Sequence, residues 1–163
     1  MGASINQTIS TNPSMKSILL SLVTLASISV SLKAASPAEE KAFVDSYQKA
    51  FEAGDTAKLE SFLHTGGATG EAVEFFKMMM QAEAGQKVTR IELITPTAEE
   101  MKKLNEPMEM PDGKMYRMSI QPQKQLVIVI EKKDASGSSS SKQKAPVAEK
   151  DGKLVIPVPV PVK

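Results

Sequence analysis

The sequence predicts an α+β fold, with helices gathered at the front and packed on a mainly antiparallel sheet. Three observations lead there. Apolar residues between 37 and 84 recur at helical spacing. From residue 87 onward the composition turns β-rich and carries the hairpin signals Pro-Asp-Gly and Asp-Gly. Helices that precede the strands, rather than alternating with them, point to a segregated α+β layering and not to a parallel α/β sheet.

The elements follow in order. At "SPAEE", Ser36 is placed to cap a helix, Pro37 suits its first turn, and Glu39 completes a capping box. Phe43, Val44, Tyr47 and Phe51 share a stripe and Gly54 supplies the stop, so the first helix is expected over about 37–53. Asp55 caps a short second helix in which Leu59, Phe62 and Leu63 share a face, with His64 at its end. After "HTGGATG", a third helix over about 70–84 has a broad apolar face from Ala72, Val73, Phe76, Met79 and Met80, suited to burial against a sheet.

"KVTRIELIT" alternates as a strand over about 87–95, and Pro96 stops it. "TAEEMKKL" reads as a small helix with a second capping box, Thr97 with Glu100. Pro111-Asp112-Gly113 joins two short extended arms, the second with Tyr116, Met118 and Ile120 on one face and Met115, Arg117 and Ser119 on a more polar one. "QLVIVIE" is apolar on both parities, as a central strand covered on both faces would be. Residues 135–145 are serine-rich and expected as a flexible, exposed loop. Asp151-Gly152 marks a last hairpin. The closing "LVIPVPVPVK" reads as an edge strand, with a polyproline tail or a docking peptide as the alternatives. Pro157, Pro159 and Pro161 remove donors from one edge only, leaving Val158, Val160 and Val162 to pair on the other, with Leu154, Ile156 and the valines forming one apolar face.

The 163 residues, 41% of them hydrophobic, support one domain with a core. Residues 1–35 read as an upstream extension and secretion signal, and 36–163 as a single domain. Within the first segment, Lys16 precedes an apolar run from Ile18 to about Leu32 and small residues follow at Ala34 to Ser36, the plan of a cleaved signal. Met15 then fits as the start of translation. The run is short of the roughly 20 apolar residues a spanning helix needs, although an uncleaved N-terminal anchor is the alternative. The expectation is an exported protein, periplasmic or extracellular, that meets the membrane only through this segment.

Composition excludes several function classes. Of the 20 basic residues, Lys16 and Lys33 precede Ala35 while all 19 acidic residues follow it, so the remainder is near neutral and lacks the basic face of a nucleic-acid binder. The chain has no cysteine, hence no disulfide, thiolate metal site or Cys nucleophile. His64 is the sole histidine, so no multi-histidine metal or acid–base site can form, and its pairing with Asp55 or Glu60 is weaker than a plain role at a helix end. "SGSSSS" lacks a nucleophile elbow and "TGGATG" lacks the Lys-Ser/Thr of a phosphate loop. Two methionine clusters, Met78 to Met80 and Met108, Met110, Met115 and Met118, raise Cu(I) binding, set against core packing in an aromatic-poor chain. No metal and no cofactor is expected.

"FVDSYQKAFEAGDTAKLESFL", with the element order above, resembles the nuclear-transport-factor-2-like superfamily, the cystatin-like cone fold. The resemblance covers roughly residues 37–163 and implies N-terminal helices packed on a curved, mainly antiparallel sheet that wraps the first helix. The 97–105 insertion and the serine segment depart from the family pattern. It implies a cone interior that could hold an apolar ligand lined by Tyr47, Phe51, Phe76, Met79 and Tyr116, each of which is also an ordinary core residue. It also implies a possible homodimer through the open sheet face. No set of catalytic residues carries over. The expected function is a small non-enzymatic binding or protein-interaction module, its partner an unknown small apolar ligand or a protein. The alternatives are a lyase or isomerase using the cone pocket and a periplasmic Cu(I) binder.

Overall fold

The first helix begins where its local chemistry says it should. The Ser36 hydroxyl accepts from the Glu39 amide while the Glu39 carboxylate accepts from the Ser36 amide at 2.6 Å, closing a capping box ahead of α1 (Pro37–Ala53). Gly54, at φ 63°, ends it. In the computed structural model, the described residues are 35–134 and 137–162, with the side chains of 132–138 left aside. The proposed leader and its export signal lie outside the described residues. Among the described residues, no helix is long and apolar enough to cross a membrane.

Asp55 caps α2 (Thr56–Glu60), and the chain then extends as β1 (Leu63–His64). Thr69 caps α3 (Gly70–Gln81). That helix stops earlier than its apolar spacing suggests, because Gly85, at φ 87°, turns back to donate to the Phe51 carbonyl at the end of α1 (2.7 Å). β2 (Val88–Ile94) and α4 (Ala98–Asn105), the latter with its Thr97–Glu100 capping box, follow as expected. β3 (Met108–Glu109) and β4 (Met115–Met118) form the Pro-Asp-Gly hairpin. β5 (Lys124–Asp134), β6 (Gly137–Lys150), β7 (Lys153–Pro157) and β8 (Pro159–Pro161) complete the chain.

The strands make a five-stranded sheet in the order β1-β7-β6-β5-β2 and a three-stranded sheet in the order β3-β4-β8. All pairings are antiparallel except β1 with β7. The molecule is thus α+β, with the N-terminal helix packed on a mainly antiparallel sheet. Phe43, Tyr47, Ala50 and Phe51 of α1 press on Leu126, Ile128 and Ile130 of β5, Val147 of β6 and Ile156 of β7. The other face of β5 carries the buried Val127. Lys144, opposite Val127 in register, ties that face to α4 by an ion pair with Glu100 at 3.2 Å.

Three expectations need correction. The serine segment is strand, not a flexible loop, from residue 137 onward: β6 pairs with β5 from Lys124↔Val147 to Asp134↔Gly137. A buried central strand needs its backbone groups met on both edges, and this segment supplies one of them whatever its side chains. Ser141 and Gln143 also donate to Glu83. His64 does not sit at the end of α2; it belongs to β1, where its carbonyl accepts from the Val158 amide at 3.0 Å.

The closing stretch is an edge strand only in its second half: among the described residues β7 lies between β6 and β1 and is paired on both edges, β8 pairs with β4 alone, and the valines do not form one inward face. Val158 donates to β1 and accepts from Ser119 at 3.3 Å, the point where the chain leaves one sheet for the other. Beyond it Pro159 and Pro161 share a face with Met118 and the buried Tyr116, and Val160 lies opposite Arg117 on the outer face. Pro157 and Pro159 are among the most buried side chains, whereas Val162 is 42% exposed.

Candidate functional site

The core divides into two clusters. The larger lies under α1; the smaller joins Ala72, Tyr116 and Val158, with Val73, Phe76, Met108 and Met110 packed against it. Leu63 of β1 touches both. At this junction lies a cavity of about 210 Å³ walled by Tyr47, Leu63, Phe76, Met80, Ile128 and Ile156, with Met79 and the 143–146 stretch of β6 completing it. Most of the wall is apolar because it is the meeting line of two hydrophobic clusters.

The polar feature of the cavity is Tyr47. Its ring stacks on Phe51 and lies tilted against Phe62, and the residue is only 2% exposed. Its hydroxyl has no hydrogen-bond partner among the described residues, and burial pushes the phenol well above its ordinary range. The proton is therefore held, and Tyr47 stands as a donor without an acceptor. The other tyrosine differs: the Tyr116 hydroxyl donates to Asp112 at 2.9 Å. The Asp112 carboxyl is held low, first by the Lys114 amide and further by Tyr116 and the Lys114 ammonium.

Of the five residues expected to line a ligand pocket, Tyr47, Phe76 and Met79 come together here. Phe51 does not; one turn along α1 it is wholly buried within the larger cluster. Tyr116 does not either, since it anchors the smaller cluster and borders a separate cavity of about 120 Å³ with Phe75 and Met110. Helical and strand patterns did not single out Leu63, Met80, Ile128 and Ile156, whose register the sequence does not record, nor Pro146, and the expected flexible segment took in Gln143, Lys144 and Ala145.

The neighbouring polar groups are engaged elsewhere. The Gln143 amide donates to Glu83, and the Lys144 ammonium pairs with Glu100. A shallow depression of about 320 Å³ between α2 and α3 holds Lys77, which bridges Glu60 at 3.2 Å and Glu74 at 3.1 Å. Hydrogen bonds to Glu74 and Glu60 raise its pKa, so its charge is already matched.

Met108 and Met110 pack half-buried against the smaller cluster, while Met78 and Met79 stand largely exposed on α3. Among the described residues no three His, Asp or Glu side chains gather as a metal site would require. Among the described residues, two buried atoms, Ser119 Oγ and Gln125 Oε1, lack a partner. No protein-family model matches the chain, and no curated protein or solved structure matches it.

Proposed function

We propose that this protein is an exported, non-enzymatic binding module that takes a small, mainly apolar ligand with one hydrogen-bond acceptor into the cavity beside Tyr47. The unpartnered Tyr47 hydroxyl at the wall of an apolar cavity carries this reading. The hydroxyl oxygen is not among the fully buried partnerless atoms, so a ligand acceptor placed against it in exchange for water gains about 0.5–1.5 kcal/mol, the net worth of one hydrogen bond. The cavity, about 210 Å³, is of single-ring size; an apolar cavity of roughly 150 Å³ holds benzene in another protein. A catalytic reading needs a second acid or base converging on the ligand. Gln143 and Lys144, which also line the wall, are tied to Glu83 and Glu100.

Export is part of the proposal and rests on the pattern of Lys16, the apolar run after it and the small residues at 34–36. Membership of the nuclear-transport-factor-2-like superfamily is proposed with it, supported by three helices ahead of β2 to β8 and by α1 packing on the sheet.

The test is a titration of the full chain with cyclohexanone, followed by amide shifts at Leu63, Ile128 and Ile156. Saturable shifts are expected there, with affinity about 3- to 10-fold weaker in Tyr47→Phe, the worth of one hydrogen bond. Absence of shifts at those amides, or equal affinity in the variant, sinks the reading.

A further inference from the structure

The outer face of the three-stranded sheet carries a feature independent of the Tyr47 cavity. On β4, Met115, Arg117 and the following Ser119 alternate onto one face; Val160 lies opposite Arg117, and the Val162 amide donates to the Met115 carbonyl at 2.9 Å. A groove of about 570 Å³ runs over this face, between the Gly66–Gly67 turn on one side and Val160, Pro161 and Val162 on the other, with Arg117 and Ser119 in its lining.

Four observations converge on it. Arg117 is exposed and makes no ion pair or hydrogen bond among the described residues, whereas Arg90 is paired with Glu92 and Lys114 with Asp112. The Ser119 hydroxyl is buried without a partner. Met115 and Val162, side by side across the β4–β8 pair, are 46% and 42% exposed, two of the large apolar side chains that the fold leaves in water. The turn wall is bare backbone. Gly67 takes φ +79° and a side chain there would come within 3.5 Å of Val160, while a Cβ on Gly66 would meet the His64 ring at 2.8 Å. The Ala68 amide closes this turn onto the Thr65 carbonyl at 3.0 Å, leaving the Gly66 and Gly67 amides without partners among the described residues.

We propose that this groove binds an aliphatic carboxylate. The Arg117 guanidinium presents the planar fork that matches a carboxylate. One unpaired arginine neutralises one charge, which fits a monoanion and leaves a phosphate dianion half uncompensated. Rotation about χ1 swings the Ser119 hydroxyl from its buried position toward the bound oxygens. The tail lies along Val160, Val162 and Met115, covering apolar surface that is otherwise hydrated.

The probe is decanoate added to the full chain, read by calorimetry and by the amide shifts of Gly66, Gly67 and Val160. Saturable one-to-one binding with shifts at those amides is expected. Arg117→Gln and the uncharged decanol should each bind about tenfold more weakly or worse, and Ser119→Ala about threefold, for loss of charge-assisted hydrogen bonds. Tyr47→Phe should bind decanoate as the unaltered chain does. Decanol matching decanoate, or Arg117→Gln matching the unaltered chain, would mean unspecific partitioning onto exposed apolar side chains and overturns the proposal. So does loss of binding in Tyr47→Phe, which would put the carboxylate in the interior cavity. Because Arg117 is exposed its replacement should fold; the glycine shifts in the unaltered chain decide the matter if it does not.

Discussion

The two hydrophobic clusters are built differently. Under α1, one helical stripe meets alternate residues of long strands, and thirteen of the described residues are buried against one another. Under α3, short strands of two to four residues and half-buried methionines enclose three buried residues. Long strands repeat the same inward face several times, so gaps are filled by the next residue along. Strands of two to four residues offer one or two inward positions, and what they fail to cover remains open. The unfilled features accordingly collect at or beyond the boundary of the smaller cluster: the Tyr47 cavity at the junction, and the Arg117 groove outside it.

Stability measurements can break this contrast. Phe51→Ala, at a wholly buried site, should cost about 3–5 kcal/mol in urea unfolding. Met108→Ala, half-buried in the smaller cluster, should cost less than about 2 kcal/mol, below the range for fully buried methionines. Equal costs would show that the two clusters are equally tight.

Next in size are the hairpin glycines. Gly152 (φ 73°) serves the β6–β7 turn and Gly113 (φ 74°) the β3–β4 turn. Alanine at either should cost about 1–2 kcal/mol of backbone strain. If Gly113→Ala leaves the global midpoint alone and only speeds amide exchange in β3 and β4, the small sheet opens separately from the large one.

The α4 cap is smaller again. Thr97→Ala should cost about 1 kcal/mol by thermal or urea unfolding, for loss of its bond to the Glu100 amide. The Glu100 carboxyl is held low, first by the Thr97 amide and then by Lys144 and the Thr97 hydroxyl. Its contribution is therefore present above the ordinary carboxylate range and lost as pH falls through the folded value.

The smallest expected effect is that of Tyr47→Phe near neutral pH, within about 1 kcal/mol of the unaltered chain, since the hydroxyl removed has no partner. Alkaline pH enlarges the difference. Burial raises the folded phenol pKa, so its stabilising contribution is complete below about pH 10, where an unfolded tyrosine titrates, and declines as pH rises from there toward the folded value. The unfolding midpoint of the unaltered chain should fall more steeply above about pH 10 than that of the variant.

Much of the fold was legible in short stretches. The boxes Ser36–Glu39 and Thr97–Glu100, the Asp55 cap, the Gly54 stop and both hairpin turns are read correctly because each is a bond or a dihedral preference spanning at most four residues. The central strand at 124–134 shows itself by being apolar on both parities. The candidate site was half legible. Tyr47, Phe76 and Met79 converge as expected, but Phe51, one helical turn from Tyr47, faces a filled region, and helical spacing alone cannot say which part of a stripe meets a gap.

By itself, then, the sequence determined where helices begin and end, which faces are apolar, and that the prolines of "PVPVPV" leave one pairing edge intact. Only the tertiary structure decided what each edge and face would meet. Serines 138–141 became strand because β5 needed a partner along its whole length. Val158 became a crossing point because His64 of β1 and Ser119, just past β4, both bond to its backbone, and from there the valines turn outward beside Arg117. Register and partner choice depend on backbone groups brought together from distant parts of the chain, and no local stretch records them.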